Sequence, residues 1–287
     1  MSLREVSRQR SQDGTMKVLF ELVDGARVES VLLHRQRKTA KPASDAFETD
    51  RLTLCLSSQV GCAMGCSFCL TGKRGLTRNL TCDEILSQVE TLEKEFTITN
   101  LVFMGMGEPL QNFDAVTGAI QKLLNRHHRP FSKRKILVST SGWVPAIDKL
   151  AQTTPVRLAL SLSAPEDALR TSLMPINRKW SVDELLAAGE RYATISKMPV
   201  MLEYVLIAGV NDQPEHAEAL YQKTQGRPFQ VNLIPFNEFS ESDFKRPAFA
   251  DVKRFQHSLV SRGVTATWRS SGGPDILAAC GQLAAQL

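Results

Sequence analysis

Three cysteines fall within eight positions, Cys62-Ala-Met-Gly-Cys66-Ser-Phe-Cys69, in a short loop after an apolar run that reads as a strand. Iron–sulfur clusters are held by cysteine thiolates and usually take four. A compact set of three would leave one iron of a four-iron cluster without a protein ligand, and an open iron can bind a small molecule. Cys55 and Cys82 are to be weighed as a fourth ligand; Cys82 sits in the first turn of a predicted helix, where a small buried hydrophobe is the simpler reading. Zinc normally wants four closed ligands in paired Cys-x(2–4)-Cys knuckles, which this chain does not show.

The elements that must position this loop are legible from periodicity. Apolar runs at Leu52 to Leu56, Leu101 to Met104, Ile136 to Val138, Val156 to Leu162, Val200 to Ile207 and Val231 to Ile234 predict six strands, most of them buried on both faces. Amphipathic stretches lie between them, and two open with the Ser/Thr-x-x-Glu capping pattern, at Thr81 to Glu84 and Ser181 to Glu184. Repeated strand–helix units predict a parallel sheet with right-handed crossovers, which fits an incomplete barrel as readily as an open doubly wound sheet. Upstream, Lys17 to Leu22 and Arg27 to Leu33 predict a hairpin around Asp24-Gly25, followed by a polar, basic loop from His34 to Asp50. We therefore divide the chain into a β extension over residues 1–50 and an α/β catalytic domain over residues 51–287.

Bulk properties narrow the classes. No run approaches the roughly 20 apolar residues of a membrane helix, and the polar N-terminus lacks the apolar centre of a secretory leader. A cytoplasmic protein is expected, and six cysteines in a chain of 287 residues fit metal binding better than a disulfide scaffold. The net charge of +5 is compatible with a polyanionic partner without requiring one. Basic segments occur at His34 to Lys38 with Lys41, and at Arg126 to Arg129 with Lys133 to Lys135; they could neutralise phosphates or form solvated loops.

The Cys-x3-Cys-x2-Cys spacing, with Phe68 before the last cysteine, resembles the signature of the radical S-adenosylmethionine (SAM) superfamily. Ser57-Ser58-Gln59-Val60-Gly61-Cys62, Thr71-Gly72-Lys73 and Arg78-Asn79-Leu80 look like the RlmN/Cfr family of RNA adenine methyltransferases. Met104 to Leu110, Val138 to Gly142, Asn232 to Asn237 and Ala278 to Leu283 resemble that family's later motifs in order, so the likeness runs from Lys17 onward. It implies an incomplete (β/α)6 barrel, a [4Fe–4S] cluster on Cys62, Cys66 and Cys69, and SAM chelated by the open iron, where one-electron reduction yields a 5′-deoxyadenosyl radical.

The resemblance also assigns roles. Gly107 and Glu108 match residues that admit the SAM backbone closely and accept its ammonium; Ser139, Ser161, Leu162, Ser163 and Asn237 match further SAM contacts, though each alone could be a turn or capping residue. The family usually has His where this chain has Ser163, so a backbone contact would survive the exchange and an imidazole role would not. Carbons 2 and 8 of adenine are poor nucleophiles, which disfavours direct methyl transfer from SAM. By resemblance Cys280 first accepts a methyl from one SAM, a radical from a second SAM removes hydrogen from it, and the methylene radical attacks the ring. Glu29 matches the base that removes the ring proton, and Cys55 the thiol that releases the adduct by forming a Cys55–Cys280 disulfide.

Three departures from the family stand out: its usual N-terminal helical accessory domain is missing, the loop from His34 to Asp50 is longer than typical, and Arg269 to Asp275 stands where the family commonly carries another arginine and an additional acidic residue. The expected reaction is methylation of an adenine carbon, C2 favoured over C8, in ribosomal RNA, with transfer RNA second, by a monomer drawing electrons from a donor such as flavodoxin. The alternatives are a radical SAM enzyme that abstracts hydrogen from another substrate, and a non-catalytic iron–sulfur RNA-binding protein.

Overall fold

The computed structural model describes residues 3–35 and 51–285. A three-stranded antiparallel meander, β1 (Leu3–Arg10), β2 (Met16–Leu22) and β3 (Arg27–Arg35), leads into β4 (Arg51–Cys55), which continues the sheet antiparallel to β3. A small hairpin, β5 (Gln59–Gly61) and β6 (Leu76–Asn79), encloses the short helix α1 (Leu70–Lys73). Parallel strands then alternate with helices: α2 (Cys82–Glu93), β7 (Asn100–Phe103), α3 (Phe113–Asn125), β8 (Ile136–Thr140), α4 (Val144–Thr153), β9 (Arg157–Ser161), α5 (Asp167–Leu173), α6 (Val182–Ser196), β10 (Val200–Leu206), α7 (Pro214–Thr224), β11 (Phe229–Pro235), α8 (Phe249–Val260) and β12 (Ala266–Trp268). The main sheet runs β1-β2-β3-β4-β7-β8-β9-β10-β11-β12, parallel from β4 onward.

All six expected strands are present, as β4 and β7 to β11, and the capping boxes of Thr81 and Ser181 open α2 and α6. The hairpin is present as β2 and β3. Beyond Arg35 the expected basic loop, with Arg37, Lys38 and Lys41, lies outside the described residues. Four strands escaped periodicity: β1, β12 and the short pair β5 and β6. β1 carries only Leu3 and Val6 as apolar residues and lies at a sheet edge, and β12 has three residues.

The sheet curls into an incomplete barrel. Laid flat, its edge strands would stand about 43 Å apart, nine spacings of roughly 4.8 Å. Instead the Gly273 amide, five residues beyond β12, donates to Asp13 Oδ2 in the β1–β2 turn at 2.8 Å, and Ser11 Oγ donates to Asp275 at 2.5 Å. Five residues of extended chain reach about 17 Å at most, so curvature closes the rest of the gap. Parallel strands of this kind are covered by helices on one face and by the opposite strands on the other, which is why Asn100–Phe103 is buried throughout.

Candidate functional site

The cysteine loop is built by short-range turns. Gly61 has φ +80, and a Cβ there would overlap the Gly75 carbonyl, which accepts the Cys62 amide at 2.8 Å. The Cys69 amide donates to Cys66 O at 3.1 Å, and the Ser67 amide donates to Leu173 O, fastening the loop to the end of α5. Cys62, Cys66 and Cys69 all line one cavity at the carboxyl ends of the barrel strands. Burial pushes the Cys62 thiol up to about 12 and raises Cys66 and Cys69 as well. Three thiols raised in this way become thiolates only against compensating positive charge, which cluster irons supply. Among the described residues no three His, Cys, Asp or Glu side chains gather closely enough to hold a single metal ion.

The same cavity is walled by Gly105, Gly107, Glu108, Ser139, Ser161 and Asn237, from the ends of successive strands. Gly107 has φ +101, and a Cβ would strike Gln59 Cβ at 2.5 Å. Glu108 is 3% exposed. Its Oε2 accepts from the Ser141 amide and hydroxyl, both at 2.7 Å, and its Oε1 from the Leu110 amide at 3.0 Å. Burial raises its pKa, against the pull of those hydrogen bonds.

Leu162 and Ser163 stand behind this wall. Both are fully buried; the Leu162 carbonyl accepts from Arg170 Nε and the Ser163 carbonyl from Asn211 Nδ2 at 2.7 Å. Ser163 has φ +56, a left-handed conformation in which its Oγ accepts from the Val205 amide.

Cys280 lines the same cavity, and its neighbour Gly281 packs against the cysteine loop, where a Cβ would lie 3.1 Å from Phe68 O. The Leu70 amide donates to Gly281 O at 2.7 Å and Thr71 Oγ1 to Leu283 O at 2.5 Å, so the C-terminal segment is tied to the helix that follows Cys69. Asn237 Nδ2 donates to the Cys280 carbonyl at 3.1 Å. A second cavity, lined by Cys55, Val31, Trp268 and Ala279, meets the first at Met104, Arg269 and Cys280. Burial, with Cys280 nearby, pushes the Cys55 thiol up to about 12. Both cysteines are free thiols, so the disulfide implied by resemblance is not a feature of this structure; Arg269 Nη2 is directed at the Cys280 sulfur instead, at 3.6 Å.

Glu29 is 5% exposed and lines neither cavity. Its Oε2 accepts from the amides of Ala284 and Ala285, and its Oε1 pairs with Lys17 Nζ at 3.1 Å. The structure thus places it beneath the segment that carries Cys280.

The Radical SAM superfamily profile matches residues 56–220. The dual-specificity RNA methyltransferase RlmN of Marinobacter nauticus is 46% identical over 96% of this chain and 74% of its own length, and that of Geotalea uraniireducens is 46% identical over 97% and 78%. The chain belongs to the RlmN family of radical SAM RNA methyltransferases. A radical SAM methyltransferase from Sphaerobacter thermophilus superposes with a TM-score of 0.90 at 45% identity, covering 100% of this chain and 82% of that one. SuiB of Streptococcus suis, bound to S-adenosylmethionine, shares the fold at a TM-score of 0.58 and 15% identity over 77% of this chain and 52% of its own. Membership in the RlmN family makes the cofactors a [4Fe–4S] cluster and SAM, which the three convergent thiols and the carboxylate, hydroxyl and amide groups set in a mostly apolar wall fit.

Sequence reading missed one organiser of this RlmN-type site. Arg170, 1% exposed, donates to Leu162 O, Asn177 Oδ1, Ser141 O and Ser161 O, joining the loops after β8 and β9 to α5. No sequence signal marks it, because an arginine in Asp-Ala-Leu-Arg reads as the wet face of a helix. The basic segment over residues 126–135 precedes β8 and so lies at the amino end of the barrel, opposite the site; Arg126 is engaged by Glu93 there at 2.6 Å. No described helix is long and apolar enough to cross a membrane.

Proposed function

We propose that this chain methylates an adenine carbon of RNA, C2 in preference to C8, with ribosomal RNA the first substrate and transfer RNA the second. The observation that carries this reading is that Cys55 and Cys280 share a cavity which opens, at Cys280, onto the cavity lined by Cys62, Cys66 and Cys69. One thiol in reach of both a SAM site and a second thiol is the arrangement that a methyl-carrying cysteine with a resolving partner needs. A radical enzyme that only abstracts hydrogen would have no use for this pair.

Cys62, Cys66 and Cys69 hold the cluster, and Gly107, Glu108, Ser139, Ser161 and Asn237 hold SAM, with Leu162 and Ser163 supporting the wall from behind. The bound cluster and SAM supply methyl transfer and one-electron chemistry. Cys280 carries the methyl carbon to the base and remains joined to RNA until Cys55 attacks its sulfur, leaving a disulfide that external thiols reduce. Glu29 takes the ring proton after the C-terminal segment shifts and releases its carboxylate. Residues 51–287 supply the methyltransferase barrel, and the extension over residues 1–50 contributes Glu29 to the reaction. The protein works as a cytoplasmic monomer with a flavodoxin-type electron donor.

The target base must leave its stack to reach the barrel, so an accessible loop is the substrate form. The test is anaerobic incubation of the cluster-loaded protein with RNA, SAM and a one-electron reductant, followed by nucleoside mass spectrometry. Formation of 2-methyladenosine is expected. Release of 5′-deoxyadenosine without any methylated adenosine, in ribosomal or transfer RNA, would sink the reading.

A further inference from the structure

Ser161, Glu203, Asn232 and Thr267 stand in register across β9, β10, β11 and β12, so their side chains share one face of the sheet. Arg269 follows Thr267 by two residues and continues the ladder through its amide, which donates to Leu233 O at 3.1 Å. A carboxylate and a guanidinium thus meet in an apolar barrel interior. Both line the cavity that holds Cys280.

Their pairing is incomplete. Glu203 Oε2 accepts from Asn232 Nδ2 at 2.8 Å and lies 3.6 Å from Arg269 Nη2, beyond hydrogen-bond range. Glu203 Oε1 and Arg269 Nε are buried with no partner among the described residues. Nη2 instead approaches two sulfurs, Cys280 Sγ at 3.6 Å and Met104 Sδ at 3.8 Å. Two orphaned atoms of opposite kind, an acceptor and a donor, therefore sit on neighbouring side chains, and buried polar atoms without partners are rare enough to need a reason.

We propose that Arg269 positions the Cys280 sulfur before methylation and moves to Glu203 afterwards, its free Nε–H then donating to the free Oε1. The inference rests on the reading of Cys280 as the methyl carrier. In that step the Cys280 sulfur bonds to the methyl carbon as the bond from that carbon to the SAM sulfonium breaks; S-adenosylhomocysteine leaves and the thiol proton passes to solvent. A thioether is a weak acceptor with no charge, so methylation removes what holds the guanidinium at sulfur, while Glu203 keeps its free lone pairs. The move clears the side of the sulfur on which the methyl group must meet the base. Arg269 and Glu203 are positioning residues in this scheme, acting through Cys280.

The test follows Cys280 in the cluster-loaded protein by peptide mass spectrometry with SAM and no reductant, then follows methyl delivery to RNA after a reductant is added. R269M is expected to load its cluster and to acquire the Cys280 methyl about tenfold more slowly or worse. E203Q is expected to slow delivery to RNA about tenfold more than it slows methylation of Cys280. A crystal structure of the methylated wild-type protein should show Arg269 Nε on Glu203 Oε1. Wild-type methylation rates in R269M, equal slowing of both steps in E203Q, or a guanidinium still on the methylated sulfur would overturn the proposal. A wild-type Cys280 that never carries a methyl would instead remove the carrier reading on which it stands.

Discussion

Glu29 Oε2 accepts hydrogen bonds from two consecutive amides, Ala284 at 2.9 Å and Ala285 at 3.0 Å, four and five residues beyond Cys280. Its other oxygen meets Lys17, whose side chain is 12% exposed. A single carboxylate thus fastens the segment after Cys280 to β2 and β3. E29A removes one member of a buried pair and strands two amides, which should cost about 3 kcal/mol and lower the melting temperature by several degrees. The same variant should speed alkylation of Cys280 by iodoacetamide. E29Q keeps an acceptor for the amides but loses the base, so it should melt closer to wild type yet accumulate the RNA adduct; normal turnover by E29Q would remove the base role.

Arg170 should behave as a structural keystone of the SAM wall. Replacement by methionine takes the guanidinium donor from the Ser141 and Ser161 carbonyls and from Asn177 Oδ1, while the Leu162 carbonyl keeps the Ala164 amide. Each unsatisfied group costs about 1–3 kcal/mol, so R170M should be strongly destabilised in thermal denaturation. R170K restores one charge and part of the donor set and should fall between the two. A melting temperature for R170M within a degree of wild type would contradict this account of the wall.

Gly107 is required for a steric reason. It holds φ +101, and any Cβ would press on Gln59, whose Oε1 accepts the Glu108 amide at 2.8 Å. G107A should therefore displace Glu108 and weaken SAM binding about tenfold or more, measured by equilibrium dialysis on cluster-loaded protein. Retention of wild-type affinity would remove Glu108 as the ammonium acceptor.

Cys55→Ala should separate adduct formation from release. The variant retains Cys280 and the cluster cysteines, so RNA should become covalently bound and stay bound, visible as a shifted band on a denaturing gel. Free methylated RNA produced at the normal rate would show that another group resolves the adduct.

The barrel was legible where burial on both faces produces unbroken apolar runs, as in Val156 to Leu162 and Val231 to Ile234. Strand β1 was not, because an edge strand can be polar along most of its length. The cysteine loop declares itself in eight residues, since its ligands are local. What stayed hidden depends on contacts between distant segments: Arg170 is buried only because three loops converge on it, and Glu29 meets the C-terminal segment only through barrel curvature. Glu203 was within reach of sequence reading. A lone acid inside the apolar run Val200 to Ile207 has to face the barrel interior or disrupt it.

In the proposed reaction Cys280 carries the methyl group, which peptide mass spectrometry can detect on protein loaded anaerobically with cluster and SAM. A methyl group on Cys280, absent in Cys280→Ala, is the predicted result. An unmodified Cys280 in protein with an intact cluster and bound SAM would contradict it.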